Sequence, residues 1–307
     1  MSKLAATSYR ALLALLVLVL IWGYSWIIMK QVMAFAGPFE FAALRYSGGT
    51  LVLFAFLWWR GRSLKPPPLL PTLIVGLAQT AAFQALAQWA LLTGEAGKVS
   101  LFCYTMPFWV VLFAWWWLKE IPGWRQWLGL VFAGAGLALV IAPWEGSGFT
   151  LSVLLAMGGG MAWAIGTVLS KQLFLRHAIA PVNFTAWQML LGSLALWLVA
   201  WQVPSPPIQW TSTFLFGLAY SVFLASSLAW VLWSLIVREL PTSVAGLSGL
   251  LVPVCAICLA WPLLGEVPTW LELGGMALIM VGLLVIRPRQ PAASPAHAAS
   301  PPPRPRE

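Results

Sequence analysis

Long apolar blocks alternate with short polar breaks along the whole chain. A helix needs about 20 apolar residues to cross about 30 Å of hydrocarbon. Ten stretches meet or approach that length: 11–33, 39–59, 69–92, 98–118, 124–142, 151–173, 182–202, 211–236, 243–264 and 270–287. The breaks carry charge, proline or glycine, as in Arg60-Gly61-Arg62 with Pro66-Pro67-Pro68, the run from Pro204 to Pro207, and Arg238-Glu239-Leu240-Pro241. In lipid each span must satisfy its own backbone N–H and C=O groups. The expectation is therefore an all-α, polytopic membrane protein with ten transmembrane helices.

Composition supports this. Of the 307 residues 61% are hydrophobic and 8% charged, where a soluble domain carries about 25% charge. The net charge of +9 raises nucleic-acid binding, but the cations form no stripe and sit singly or in short clusters between apolar blocks. That distribution excludes a nucleic-acid surface and fits the cytoplasmic excess of Lys and Arg found in membrane proteins. Cys103, Cys255 and Cys258 all lie in apolar runs, so no disulfide framework is expected. Cys255 and Cys258 form a C-x-x-C, but no second pair and no nearby His completes a metal site. They read as small residues on one helix face, and neither metal nor cofactor is expected.

Lys3 and Arg10 precede the first apolar block, and Ala34-Phe35-Ala36 resembles a cleavage tripeptide. The block from Ala11 to Met33 is too long for a signal h-region, so it reads as a retained first helix. With the N-terminus inside, the cytoplasmic breaks hold Lys3, Arg10, Arg60, Arg62, Lys65, Lys119, Arg125, Lys171, Arg176, Arg238, Arg287, Arg289, Arg304 and Arg306, against Lys30 and Lys98 opposite. This bias places both termini in the cytoplasm. Trp58, Trp59, Trp115, Trp116, Trp117, Trp144, Trp201 and Trp210 cluster near span ends as an interfacial aromatic belt. Residues 290–307, rich in Pro, Ala and Ser and containing His297, read as a disordered cytoplasmic tail.

The sequence matches itself at an offset of 141 to 146. Trp22 with Lys30 recurs as Trp163 with Lys171, Pro38 with Phe41 as Pro181 with Phe184, and Trp89 as Trp230. Gly76-Leu77-Ala78-Gln79-Thr80 recurs as Gly217-Leu218-Ala219-Tyr220-Ser221. Pro107, Glu120, Pro122, Trp124 and Gly129 recur at identical spacing as Pro253, Glu266, Pro268, Trp270 and Gly275. Two repeats follow, 1–145 and 146–289, each with five spans. An odd number of spans sets the second copy upside down, the arrangement of alternating-access carriers. A duplicated channel or quiet scaffold remains the competing reading.

Glu239-Leu240-Pro241, Ser243, Ala245, Pro253 and Gly265-Glu266-Val267-Pro268 resemble the repeat motif of the drug/metabolite transporter superfamily, EamA type. A weaker copy runs through Gly97-Lys98-Val99-Ser100, Pro107 and Lys119-Glu120-Ile121-Pro122, with Lys119 where glycine is usual. The resemblance implies ten helices in a bacterial inner membrane, acting as a monomer, with a small-molecule substrate and the lipid bilayer as partners. It implies export of amino acids, aromatic or hydrophobic, without ATP. Other small metabolites or drugs, including phosphorylated sugars, and channel-like flux are the alternatives.

No Asp occurs anywhere, the eight Glu lie at span ends, in loops or in the tail, and no Walker A sequence is present. No catalytic constellation for an intramembrane enzyme is visible, and a proton relay has no buried carboxylates to use. Arg45 is the clearest intramembrane charge. It could bind a substrate carboxylate, snorkel, or pair with a helix C-terminus or with Glu40; its repeat mate is Gln188. Lys30 and Lys171 read as interfacial. Candidate cavity residues are Gln79 and Phe83 on one helix face, Gln84 and Gln88 on another, Tyr220 as the mate of Gln79, Trp22 with its mate Trp163, Tyr24 and Tyr104. Aromatics with a few amides suit an amphipathic zwitterion, and helix packing is the alternative use of the same residues. Pro107 and Pro253, at matching midspan positions, are candidate gating hinges or static bends.

Overall fold

The computed structural model describes residues 3–141 and 150–285. Trp144, Arg287, Arg289, His297 and the tail lie outside the described residues. The chain is helical throughout those residues, with no strand among them. Eight helices are long and apolar enough to cross a membrane: α1 (Lys3–Val32, apolar from Leu13), α2 (Pro38–Trp59), α3 (Leu69–Thr93), α4 (Ala96–Leu118), α6 (Leu151–Arg176), α7 (Pro181–Gln202), α8 (Ser212–Glu239) and α9 (Thr242–Leu264). Two more, α5 (Trp124–Ile141) and α10 (Trp270–Val285), carry shorter apolar stretches, Trp124–Val140 and Trp270–Gly282. The chain is thus a polytopic helical membrane protein.

Helix starts follow from local chemistry. Pro38 and Pro181 stand at the first turns of α2 and α7, where the missing N–H is no loss and φ is already set. Thr150 and Thr211 cap α6 and α8 by accepting from Val153 N and Phe214 N. Along α3 and α8 the α-helical ladder widens into π-helical stretches at Gly76–Ala82 and Ser221–Leu228. Such widened turns occur at functional sites.

Side-chain distribution is inverted relative to a water-soluble core. Leu51, Trp116, Trp201 and Leu284 are more than two-thirds exposed, while Arg45, Gln79, Gln84, Gln88, Thr167 and Gln188 are buried. An outer surface of this kind matches hydrocarbon, where apolar side chains lose nothing by exposure. Close approach between helices depends on glycine. A Cβ on Gly136 would lie 2.5 Å from the Gly275 carbonyl of α10, and one on Gly160 2.5 Å from the Cys103 carbonyl of α4.

The helix contacts come in matched sets. α5 packs along α10 and α2 along α7. α3 packs on α6 as α1 does on α8, and α1 packs on α9 as α6 does on α4. Helices α4 and α9 are also broken at corresponding places, after Cys103 and after Ser248. Pro107 and Pro253 sit in the first turn or so of the segments that resume at Met106 and Leu251. They therefore follow breaks in the helix and do not kink a continuous one.

α4 and α9 end alike, in a residue with left-handed backbone: Lys119 at φ 58° and Gly265 at φ 73°. Only glycine takes that conformation without a Cβ clash, which costs other residues about 1–2 kcal/mol. Lys119→Gly is expected to raise stability, by about 1 kcal/mol or less after the extra chain entropy of glycine. The measurement is the midpoint of thermal unfolding in detergent.

Candidate functional site

Midspan side chains enclose a cavity of about 20 Å³, room for about one water molecule. Its wall comprises Trp22, Ser25, Trp26 and Met29 from α1, Arg45 and Tyr46 from α2, Phe83 and Gln84 from α3, Tyr104 from α4, Trp163 from α6 and Trp230 from α8. Trp163 is the centre of the aromatic part. Its ring lies 4.9 Å from Phe83, 5.3 Å from Trp22, 5.3 Å from Tyr104 and 6.2 Å from Trp230, centroid to centroid. Trp22 is fixed by its indole N–H, which donates to the Ala225 carbonyl in the π-helical stretch of α8 at 3.0 Å.

Arg45 brings the only charge to this wall and is 2% exposed. Its Nε donates to Ser226 Oγ at 3.1 Å, one guanidinium Nη reaches Met29 Sδ at 3.1 Å, and the cation lies 5.1 Å from the Tyr46 ring centroid. Among the described residues no carboxylate lies within ion-pair distance of it. The pairing with Glu40 is therefore not formed. A buried charge without a counter-charge costs several kcal/mol, which makes Arg45 a candidate site residue. Beside it Tyr46 OH donates to Gln84 Oε1 at 3.2 Å, and Gln84 Nε2 reaches Met29 Sδ at 3.3 Å.

Gln79 stands behind the aromatic wall. With its amide oxygen turned to face the indoles, it accepts from Trp163 Nε1 at 3.1 Å and from Trp233 Nε1 at 3.3 Å, and its nitrogen donates to Gln188 Oε1 at 3.2 Å. Tyr24 and Tyr220 pack against each other at 5.2 Å, with the Tyr220 hydroxyl donating to the Ile21 carbonyl at 2.8 Å, away from the cavity wall. Of the expected site residues, the structure brings Trp22, Arg45, Phe83, Tyr104 and Trp163 together. It sets Gln79 and Gln188 in support and leaves Tyr24 and Tyr220 apart. Sequence reasoning missed Ser25, Trp26, Met29 and Tyr46, although Tyr46 adjoins Arg45 and Ser25, Trp26 and Met29 lie one or two turns beyond Trp22. Trp230 had shown itself only as the mate of Trp89.

Two polar clasps close the ends of the helix hairpins. At one, Glu266 accepts from Ala96 N and Gly97 N, both at 3.1 Å, and Lys30 Nζ donates to the Leu91 and Gly94 carbonyls at 2.9 and 2.7 Å. At the other, Glu120 accepts from Thr242 N at 3.0 Å and Thr242 Oγ1 at 2.8 Å, and Lys171 Nζ donates to the carbonyls of Val237, Arg238 and Leu240 at 3.1, 3.2 and 2.8 Å. Carboxylates thus sit on helix N-termini and ammonium groups on helix C-termini, where unpaired backbone groups and the helix dipole favour them. Lys30 and Lys171, read as interfacial, direct their ammonium groups to carbonyls at the span ends. A groove beside Trp115, Trp116 and Lys119 is larger, about 650 Å³, but open, and it shares no lining residue with the cavity wall.

Removing the Gln79 amide strands two buried indole N–H groups, each at about 1–3 kcal/mol. Gln79→Leu is expected to lower the unfolding midpoint in detergent and to shift the Trp emission maximum. An unchanged spectrum and midpoint would show that the amide does not hold the indoles.

Residues 9–142 and 150–287 each match the EamA-like transporter family. The chain is 28% identical to "Uncharacterized transporter YvbV" of Bacillus subtilis (strain 168), over 92% of this chain and 93% of that protein. It is 29% identical to a "Probable amino-acid metabolite efflux pump" of Salmonella typhimurium, over 89% of this chain and 93% of that protein. A solved structure described as "Crystal structure of protein" superposes with a TM-score of 0.74 at 20% identity, covering 90% of this chain and 96% of that one, which establishes likeness of fold. Two matches of one family across nearly all the described residues make the chain a member of the EamA-like transporter family, a multi-pass membrane protein that moves a small molecule.

Proposed function

We propose that the chain is a bacterial inner-membrane exporter of small carboxylate-bearing metabolites with an apolar or aromatic body. It works by alternating access between two inverted five-helix repeats, residues 1–145 and 146–289, with both termini cytoplasmic and a tail from 290. The observation that carries the substrate side is Arg45: a buried guanidinium without a carboxylate, set in an aromatic cavity wall. A cargo carboxylate completes the ion pair that the protein leaves open. The printed name of the Salmonella relative, an efflux pump for amino-acid metabolites, supports the same class. A phosphate dianion fits less well, because the wall offers one cation and no second.

Reciprocity of the clasps supports the inverted arrangement. Glu120, just after α4, caps the start of α9, and Glu266, just after α9, caps the start of α4. Helices α4 and α9 must then run antiparallel, as copies related by inversion do. One clasp closes each end of the molecule over the cavity. Alternating access follows if one clasp opens while the other holds, because equivalent contacts give the two open forms similar energy.

Two experiments check this reading. In proteoliposomes, export of an aromatic carboxylate should saturate and be competed by its analogues. Arg45→Gln should reduce it at least tenfold, and Arg45→Lys should restore part of it. Linear, non-competed flux would point to a channel. For gating, Ser25→Cys is placed in a chain with Cys103, Cys255 and Cys258 replaced by Ala. Glu120→Ala and Glu266→Ala should then expose the new thiol to a membrane-impermeant reagent from opposite sides. Labelling from the same side in both would refute the inverted reading.

A further inference from the structure

Charge bookkeeping around the cavity goes one step further, and it rests on the reading of Arg45 as the carboxylate partner. The wall contributes one cation and no anion. An amino-acid zwitterion would satisfy Arg45 with its carboxylate and leave its ammonium without a counter-charge. The acceptors of the wall are all neutral, and the amide and thioether among them are already engaged, Gln84 Oε1 by the Tyr46 hydroxyl and Met29 Sδ by Arg45 and Gln84. The indole and phenyl rings are packed against one another around Trp163, which limits the open ring face an ammonium would need. A carboxylate whose amino group is missing or acylated meets no such deficit.

Among the described residues no carboxylate or histidine lines the cavity, and the sequence holds no Asp at all. Nothing in the wall can take up a proton in exchange for the cargo. Each cycle with an anionic cargo therefore moves one net negative charge across the bilayer. An inside-negative membrane potential drives such a charge outward whichever way the carrier itself is inserted. A tenfold standing gradient of a monoanion is balanced by about 60 mV.

We infer that this transporter carries organic monoanions, carboxylates without a free ammonium group, as an electrogenic uniporter whose export is driven by the membrane potential. The full-length protein in proteoliposomes tests this with three probes of one body. These are 3-phenylpropanoate (carboxylate only), phenylalanine (both groups) and 2-phenylethylamine (ammonium only). Efflux from loaded vesicles is followed with and without a potassium/valinomycin potential, and leakage from protein-free vesicles is subtracted. Efflux of 3-phenylpropanoate should rise at least threefold with the interior negative, fall with it positive, and exceed that of phenylalanine about tenfold or more. The amine should not move. Arg45→Lys should keep the voltage response at a lower rate, and Arg45→Gln should lose transport. Phenylalanine moving as fast or faster, indifferent to potential yet still dependent on Arg45, would overturn the inference and leave the Arg45 site standing. Voltage-independent efflux of 3-phenylpropanoate would overturn it equally. Transport of every probe by Arg45→Gln at the wild-type rate would overturn the site reading itself. The probe ranking and voltage response of the unmodified protein decide the matter even if a variant fails to fold.

Discussion

Hydrocarbon offers no hydrogen bonds, so any backbone group left open by a helix end, a break or a widened turn must find a partner within the protein. Most of the long-range polar contacts of this chain answer that constraint. Lys30 and Lys171 reach across to the carbonyl ends of α3 and α8, Glu120 and Glu266 reach to the amide ends of α9 and α4, and Trp22 takes a carbonyl in the widened turn of α8. These contacts tie segments more than sixty residues apart. Apart from the Thr242 hydroxyl on Glu120, they join side chains to backbone groups at helix ends and widened turns and not to opposite charges.

The contrast with Arg45 is instructive. The Lys and Glu side chains of the clasps are held by backbone dipoles, whereas Arg45 has, among the described residues, a hydroxyl, a thioether and a ring. The corresponding position in the second half is Gln188, which joins the amide network behind the aromatic wall. Duplication therefore supplied two similar halves, and divergence at one position gave the cavity a single polarity. The scaffold can stay symmetric in its closing contacts and still present an asymmetric binding surface.

The helical architecture was legible because apolar length is a direct physical requirement. Eight blocks have the full length and hydropathy, and the blocks ending at Ile141 and Val285 are shorter. Trp22, Phe83, Tyr104 and Trp163 were legible as midspan aromatics and Arg45 as a lone charge. Met29, Tyr46 and Trp230 were not, because an apolar or aromatic residue in a span is ordinarily packing and its sequence position does not say which helix face meets the cavity. Tyr24 and Tyr220 show the converse: both look like site residues by position, and their rings turn to each other. The partners of Lys30 and Lys171 were illegible for the same reason, since they are carbonyls some sixty to seventy residues away.

The smallness of the cavity has a thermodynamic corollary. A space of about 20 Å³ cannot admit even a benzene ring, so cargo must enter through a wider form of the protein. Apparent affinity is then the intrinsic affinity scaled down by the fraction that stands open. A modest measured dissociation constant would not imply poor contacts once the cargo is inside. Substitutions that loosen the aromatic packing can tighten apparent binding without touching the cargo. A compound that props the walls apart would do the same for a second, smaller one.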